Sequence, residues 1–511
     1  MRVLVFHGYL LRGTGSNVYN AELAPALVGL GHEVHLLCQD RRADELPWVD
    51  AVGDWDSGRF SVRSLHQPAR CTVYRPDIGR LLPVYVADDY EGFEARPFPS
   101  LDDSQLERYL AANVAAVSDV AARVAPDVAL ANHEVMGPVV LARALAGDVP
   151  YAVKVHGSAL EYTVRPHLDR FGPYAREGLA EARAVLVGSR HTAERLWETI
   201  EDPALPAKTR LGPPGVDVHA FRRRQAPEAA ERLNALADRL ERDEVTPWGG
   251  EAGAAAALRA LRPTTEPVVS YVGKLIVSKG VDLLLAAWPL VVARVPQARL
   301  CVVGFGTYRD ALTRLLGALG AGDLDGAAEI AARGREAEGG QASRLAYLSA
   351  FFEGLAGPRR DDYVRSAAGA AERVHFTGRL EYADVPDLLG ACAAQVVPST
   401  FPEAFGMVAA EAAAAGALPL SAAHSGLAEV TAQLAGAVEE PLRPLLSFSL
   451  GPGAVEELAG KLATWLELDE PTRSRASAAL AAYAREHYSW EGVAGRVVRA
   501  ASGRLDELPE P

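Results

Sequence analysis

Residues 398–416, PSTFPEAFGMVAAEAAAAG, hold two glutamates eight positions apart among small and apolar neighbours. On one helix Glu403 and Glu411 would stand roughly 80° apart, which serves a shared face poorly. Phe401-Pro402 reads instead as the end of a turn, and Gly406 with the Met-Val-Ala-Ala run as a helix start. Glu403 is then expected in the loop, with Glu411 roughly 7–8 Å along the helix axis from Gly406. Two carboxylates so placed can address different parts of one elongated ligand. A carboxylate accepting from vicinal hydroxyls is a natural holder for a ribose or a pyranose, and Gly406 lets backbone amides approach such a ligand closely. As an isolated pair, the two would read as ordinary helix glutamates.

The stretch YVGKLIVSKGVDLLLAAW carries the complementary charge. A strand ends at Gly273, and Lys274 and Lys279 flank a turn that opens an apolar-periodic helix. Two cations beside a helix N-terminus make an anion site, because the unpaired N–H groups and the helix dipole act in the same direction. A pair of phosphates would suit it. Loop lysines are ordinarily just solvated charges, but of 52 basic residues only five are lysines, at 154, 208, 274, 279 and 461. In an Ala- and Arg-rich background that uses arginine wherever charge alone is needed, a post-strand lysine is informative.

Two more segments have the same strand–loop–helix form: SAAHSGLAEV (421–430) and HFTGRLEYADVPDLLGAC (375–392), whose turn at Arg379-Leu380 can cover a flat base with backbone groups. In the first half, Gly13 and Gly15 form a small-residue loop after the first strand. They fail as a G-x-G-x-x-G fingerprint because position 18 is Val. His156 follows the strand YAVKV, where a lone histidine is more often structural. Lys154 reads equally as core-edge packing or as site support. Asp54/Asp56 and Asp323/Asp325 have the spacing of a metal–diphosphate clamp, but neither pair follows a recognisable strand. No metal is expected.

The elements that must position these residues are short apolar runs alternating with helical patterns. Strands are predicted at 2–6, 33–38, 127–132, 151–156 and 184–189, then again at 267–273, 298–304, 373–378, 394–399 and 417–422. Repeated strand–helix–strand units imply an α/β chain of two doubly wound, Rossmann-like parallel-sheet domains, with ligands gathering beyond the carboxyl ends of the strands. The division expected is 1–214 for the first domain, 215–265 for a linker with a helical insertion, and 266–487 for the second domain. A second helical insertion is placed at about 308–371, and residues 488–511 stand apart as a C-terminal segment. Residues 41–100 read as an irregular excursion from the first domain. At 511 residues two domains are the natural expectation.

The net charge of −14 disfavours a nucleic-acid partner and gives no support for an anionic membrane surface. Four scattered cysteines without a CxxC pair point to a reducing compartment, with no disulfide framework or zinc site. The opening MRVLVFHG reads as a strand that begins at once, leaving no room for a signal peptide. No apolar run reaches the length of a transmembrane segment. A cytoplasmic monomer or homodimer is expected.

In order and spacing these segments resemble the retaining glycosyltransferases of family 4, which have the GT-B fold. The family's E-x7-E signature matches Glu403 and Glu411, and its V-G-R-L-x-x-x-K-G segment matches VGKLIVSKG, with Lys274 in place of the usual arginine. HGYLLRGTGSNVYNAELAPALVGLGHEV, AVKVHGS, LVGSRHTAERL and GPPGVDVHAF follow in the family's order, and REHYSWEGVAGRVVRA resembles its helix that crosses back to the first domain. The resemblance covers about three-quarters of the chain. It implies two domains facing across a cleft and a nucleoside diphosphate sugar as donor, without a required cofactor.

It further implies that Glu411 holds the ribose, Glu403 the donor sugar, and Lys274 and Lys279 the diphosphate. Gly273 and the amides of Phe405, Gly406, Met407 and Val408 would support sugar and phosphate. Arg379 and Leu380 would flank the base, Gly13 and Gly15 would approach the phosphates, and His156 would face the donor sugar. The implied reaction is metal-independent hexosyl transfer from a UDP-, GDP- or ADP-sugar to a hydroxyl of a small polar molecule or a glycan, with configuration retained. A nucleotide-sugar epimerase, a pyridoxal-type glycan phosphorylase and a non-catalytic nucleotide-sugar sensor are the alternatives, since a shared fold does not determine chemistry.

Overall fold

The computed structural model describes residues 1–13, 15–56, 59–85, 92–242 and 253–511. The chain divides into two compact units, one of Met1–Gly215 with Tyr488–Pro511 and one of Val216–His487. Parts of two expected features, at 86–91 and 243–252, lie outside the described residues.

Unit 1 is built on a nine-stranded sheet. Its strands are β1 (Arg2–Phe6), β2 (Glu33–Leu37), β3 (Ala51–Asp56), β4 (Arg59–Ser64), β5 (Cys71–Arg75), β8 (Val128–Asn132), β9 (Tyr151–Lys154), β10 (Ala184–Val187) and β11 (Thr209–Leu211). β6 (Leu81–Val84) and β7 (Glu94–Pro97) form a separate parallel pair. The sheet order is β11-β10-β9-β8-β1-β2-β5-β3-β4. Every neighbouring pair is parallel except β3 with β4.

Continuous apolar strands are what a sheet covered on both faces requires. Along β1, Leu4 and Phe6 enter one core cluster while Val3 and Val5 enter the other. Helices Asp103–Val124, Gly137–Leu145 and Leu168–Ala180 supply the first cluster. Helices Ser16–Gly29 and Trp490–Ala501 supply the second.

The stretch 41–100 departs from the expected irregular excursion. β5 pairs with β2 from Val34↔Cys71 onward, and β3 and β4 extend the sheet to its edge. Among the described residues no α-helix separates β2, β3, β4 and β5, and only a 3-10 turn at Ala43–Glu45 stands between β2 and β3, so the strand–helix rhythm that marks the rest of the sheet is missing here. β4 is also almost wholly exposed, as an edge strand can be.

Unit 2 carries six parallel strands, β12 (Val268–Val272), β13 (Arg299–Val303), β14 (Val374–Gly378), β15 (Ala394–Val397), β16 (Leu418–Ala422) and β17 (Ser447–Phe448). Their order is β14-β13-β12-β15-β16-β17. The chain first winds outward from β12 to β14 and then returns to lie on the other side of β12. The crevice at such a reversal, beyond the carboxyl ends of β12 and β15, is where open α/β sheets bind ligands. In unit 1 the corresponding reversal falls between β1 and β8.

The helices at 226–242 and 254–259 differ from an appended insertion. Leu233, Leu236, Ala237 and Leu258 share a core cluster with Val268, Cys301, Leu388 and Ala412, so these helices wall one face of the sheet. In the 308–371 region four helices stand between β13 and β14. One of them, Pro358–Ala370, is pinned by Tyr363, whose hydroxyl donates to the Ala286 carbonyl at 2.8 Å.

Candidate functional site

In unit 2, β12 ends at Val272, and the turn that follows is tightly specified. Lys279 closes a single 3-10 turn, and Gly280 stands at φ +66° at the head of helix Val281–Arg294. A Cβ on Gly280 would lie 2.0 Å from the Pro398 carbonyl oxygen, so only glycine permits this approach of the two post-strand loops. The Val277 amide donates to Glu338 Oε1 at 2.7 Å, and the Thr400 amide donates to the Ser278 carbonyl at 2.9 Å. The loops after β12 and β15 are thereby stitched together.

That stitching brings Lys279 Nζ onto Glu403 Oε1 in an ion pair. The same oxygen accepts from Ser399 Oγ at 2.8 Å. Behind Glu403, its amide donates to Ser425 Oγ at 2.9 Å, and the Gly426 amide donates to its carbonyl at 2.9 Å. Gly426 has no room for a side chain, since a Cβ there would sit 2.7 Å from the Glu403 carbonyl oxygen. His424 Nε2 lies 2.7 Å from the Ser399 carbonyl and so donates to it. Its Nδ1 is 3.1 Å from Ser425 Oγ and accepts from that hydroxyl.

Glu403 is in the loop, and Glu411 lies inside helix Met407–Ala414, where it is buried. Its carboxylate oxygen accepts from Tyr382 Oη at 3.0 Å. Burial pushes its pKa up to about 7, and the Tyr382 hydrogen bond partly offsets that rise. Gly406 caps this helix at φ +123°, with no side-chain cap, so the first amides of the helix, including those of Met407 and Val408, keep their donor capacity. Phe405 is buried beside it.

Lys274 follows β12 directly and is half-buried, while Gly273 donates its amide to the Val303 carbonyl at 3.1 Å. Arg379 follows β14, with its guanidinium carbon 5.3 Å from the Phe305 ring centroid, and Leu380 is buried in the core. Phe305, 45% exposed after β13, was not evident in the sequence, and neither were Tyr382, Ser399 and Ser425. A large apolar residue in a glycine-flanked post-strand loop is the signal that could have found Phe305.

Unit 1 gathers a buried polar network at its own reversal point. His7 follows β1, and Asn132 and His133 lie at the end of β8. Asn20 Nδ2 donates to His7 Nδ1 at 3.0 Å, so the His7 proton sits on Nε2, within 2.9 Å of the Leu10 carbonyl and 3.1 Å of Asn17 Oδ1. Asn20 and Asn132 exchange amide hydrogen bonds at 3.1 and 3.0 Å. Asn132 Oδ1 then accepts from His156 Nε2 at 2.8 Å.

Burial lowers the pKa of His7 to about 4 and holds His133 and His156 well below the usual imidazole range. His156 is thus a neutral imidazole, with its proton placed on Nε2 by Asn132. Its ring stands 4.8 Å from that of His133 and 5.0 Å from that of Tyr19. Gly13 and Gly15 adopt φ +115° and +61° just before helix Ser16–Gly29. Lys154 is buried, donates to the Gly212 carbonyl at 2.6 Å, and is lowered by burial to a pKa of about 7. It is a structural tie rather than an open cation.

Among the described residues no group of three or more His, Cys, Asp or Glu could hold a metal ion. Asp54 is taken up by Arg75, and Asp323 caps the helix Leu324–Arg333.

The chain matches the family model of group 1 glycosyl transferases over residues 355–486 and that of glycosyltransferase family 4 over residues 13–220. No curated protein matches it in sequence. Among solved structures it is similar to the sucrose-phosphate synthase from Thermosynechococcus elongatus, at 18% identity and a TM-score of 0.58 over 99% of this chain and 100% of that one. It is also similar to Anabaena HepE, solved with UDP-glucose, at 19% identity and a TM-score of 0.54 over 98% and 99%. The α,α-trehalose 6-phosphate synthase from Burkholderia multivorans aligns at 15% identity and a TM-score of 0.55 over 99% of both chains. At these identities the likeness is one of fold, that of the GT-B class.

Proposed function

The chain belongs to the family 4 glycosyltransferases, and we propose that it moves a hexose-type sugar from a nucleoside diphosphate sugar to a hydroxyl acceptor, with configuration retained. What supports this reading is the convergence of Lys274, Lys279, Glu403 and the uncapped helix at Gly406 on the reversal point between β12 and β15, with Glu411 a turn and a half deeper. On this reading Glu411 accepts from the ribose hydroxyls and Glu403 from those of the donor sugar. The two lysines and the amides of residues 405–408 hold the diphosphate. Backbone groups from Gly378 to Leu380 take the base, and His156 serves the donor sugar as a neutral imidazole.

The bond from the anomeric carbon to the diphosphate oxygen breaks as the acceptor oxygen bonds to that carbon from the same face. The acceptor proton passes to a phosphate oxygen. Positive charge grows on the sugar and negative charge on the leaving group, so the work of the site is chiefly electrostatic. Glu403 positions the sugar and forms no covalent bond to it. The lysines supply the charge that a divalent ion would otherwise bring, so activity is expected to survive EDTA.

Thermal unfolding in UDP-, GDP- and ADP-sugars identifies the donor by its stabilisation, with UDP-glucose the first to test because HepE is solved with it. NMR of the anomeric centre in the product then reads the stereochemistry. Binding without transfer or hydrolysis of any donor would favour a sensor, and inversion at the anomeric carbon would overturn the retaining assignment.

A further inference from the structure

The amino ends of β12, β15 and β16, at the opposite end of the unit 2 sheet from Lys279 and Glu403, border a cavity of about 460 Å³. Its wall combines the segment at 223–226 with the helix that starts at Glu470. Arg223, Arg224 and Arg473 all reach it. Small residues make room for two of them. A Cβ on Gly416 would stand 3.0 Å from Arg223 Cγ, and one on Gly390 would stand 2.4 Å from Arg224 Nη1.

The three arginines are not equally committed to the fold. The Arg224 side chain is 6% exposed, donates to the Pro386 carbonyl at 2.5 Å and lies 3.2 Å from Asp387 Oδ1. Its Nε is buried without a hydrogen-bond partner among the described residues. Arg223 gives one nitrogen, Nη2, to Ser474 Oγ at 2.5 Å. Arg473 gives Nη1 to the carbonyls of Leu466 and Leu468, at 3.2 Å each. Among the described residues, the other N–H groups of these two guanidinium forks have no protein partner.

The carboxylates of the wall leave those forks open. Glu266 is held by Arg299 through hydrogen bonds of 2.8 and 3.1 Å, and Glu470 is exposed at the head of its helix. Planar forks with free N–H groups match the oxygens of a phosphoryl or carboxylate group. Ser477 and Gln225 line the same space and can satisfy a polar body beyond the anionic group.

We propose that this cavity is a second ligand site of the protein, one that takes a small phosphomonoester on Arg223 and Arg473. A volume of about 460 Å³ holds more than a bare anion and falls within the range of small-molecule pockets. The site shares no residue with the donor assignment and stands or falls separately from it.

The test follows thermal unfolding of the full chain carrying Lys279→Ala, which silences the lysine assigned to the donor phosphates. Inorganic phosphate and glycerol 3-phosphate are added at constant ionic strength, with acetate as the comparison anion. Both phosphates are expected to raise Tm by about 1–3 °C at concentrations well above Kd, and acetate to raise it less. Adding Arg223→Ala and Arg473→Ala removes the rise. Gln225→Glu, which leaves both arginines in place and adds a negative charge at an exposed position of the wall, weakens the phosphate effect at least about five-fold. It keeps the test decisive where the arginine variant does not fold. No rise with either phosphate, an equal rise with acetate, or a rise unchanged by these substitutions overturns the proposal.

Discussion

Lys279 and Glu403, 124 residues apart in sequence, hold each other in an ion pair at the carboxyl ends of β12 and β15. Their side chains are 33% and 24% exposed, so solvent screens the pair and its worth to stability is under about 1 kcal/mol. A donor that engages both must exchange this pair for its own contacts, with diphosphate oxygens going to the lysine and sugar hydroxyls to the carboxylate. Lys279→Ala is therefore expected to lower kcat about 10²–10³-fold, the scale of losing one donor aimed at the developing charge. Its Tm should stay close to that of the parent. Near-normal turnover by a folded Lys279→Ala enzyme would sink the phosphate assignment.

Glu411 links the site to pH. Burial raises its pKa from 4.5 to about 7. Below the lower value both folded and unfolded chains hold the proton, and the residue costs nothing. Between the two values the folded chain keeps a proton that the unfolded chain releases, so stability falls as pH rises. Above pH 7 the cost is complete, on the order of 3 kcal/mol. Glu411→Gln keeps an acceptor for Tyr382 and never ionises. Its Tm advantage over the parent should be near zero at pH 4.5 and largest above pH 7, while its donor affinity falls about ten-fold or more. A Tm difference that does not vary with pH would show that the carboxyl is not ionised at a cost in the fold.

The close approach at Gly280 predicts a third outcome. Any Cβ there must push the Pro398 carbonyl away, and φ at +66° adds its own strain. Gly280→Ala should destabilise the chain by about 1–3 kcal/mol. It should also separate Lys279 from Glu403, so that the KM for donor rises before the fold is lost. Equilibrium urea unfolding and donor titration measure the two effects. An unchanged midpoint would mean that the loops after β12 and β15 are not in this contact.

Much of this arrangement was legible in the sequence because local patterns carried it. Runs such as RVLVF and PVVSYVG announce buried parallel strands, and a charged or small residue right after such a run stands at the ligand edge of the sheet. The same pattern put Lys274, Lys279 and Glu403 in post-strand loops and Glu411 inside the following helix, which is where the structure has them. β3, β4 and β5 escaped because no α-helix separates them among the described residues, and the helix at 226–242 was set apart because an amphipathic stripe looks the same on an appended insertion as on a wall of the core. The network that His7, Asn20 and Asn132 build around His156, a residue the sequence did single out, escaped for another reason. Each member is a single polar residue near a strand end or on a helix, and Asn20 meets Asn132 across 112 positions, a pairing that no local spacing encodes.

That network yields the last prediction, through the proton on His156. Asn132 Oδ1 accepts from Nε2 at 2.8 Å, and burial keeps the ring neutral. Asn132→Asp retains the acceptor but places a carboxylate against the imidazole, which favours the imidazolium and raises its pKa. It also loses the Asn132 Nδ2 bonds to the Phe6 carbonyl and to Asn20 Oδ1, at 3.1 and 3.0 Å. The expected cost is about 1–3 kcal/mol of stability. If neutral His156 is the working form, the acid limb of the kcat/KM profile moves up by about one pH unit or more, while activity above pH 8 is largely kept. Direct titration of the His156 ring by NMR reads the same shift without reference to turnover. A raised ring pKa with an unmoved activity profile would remove His156 from the reaction and leave it as a structural member of the network.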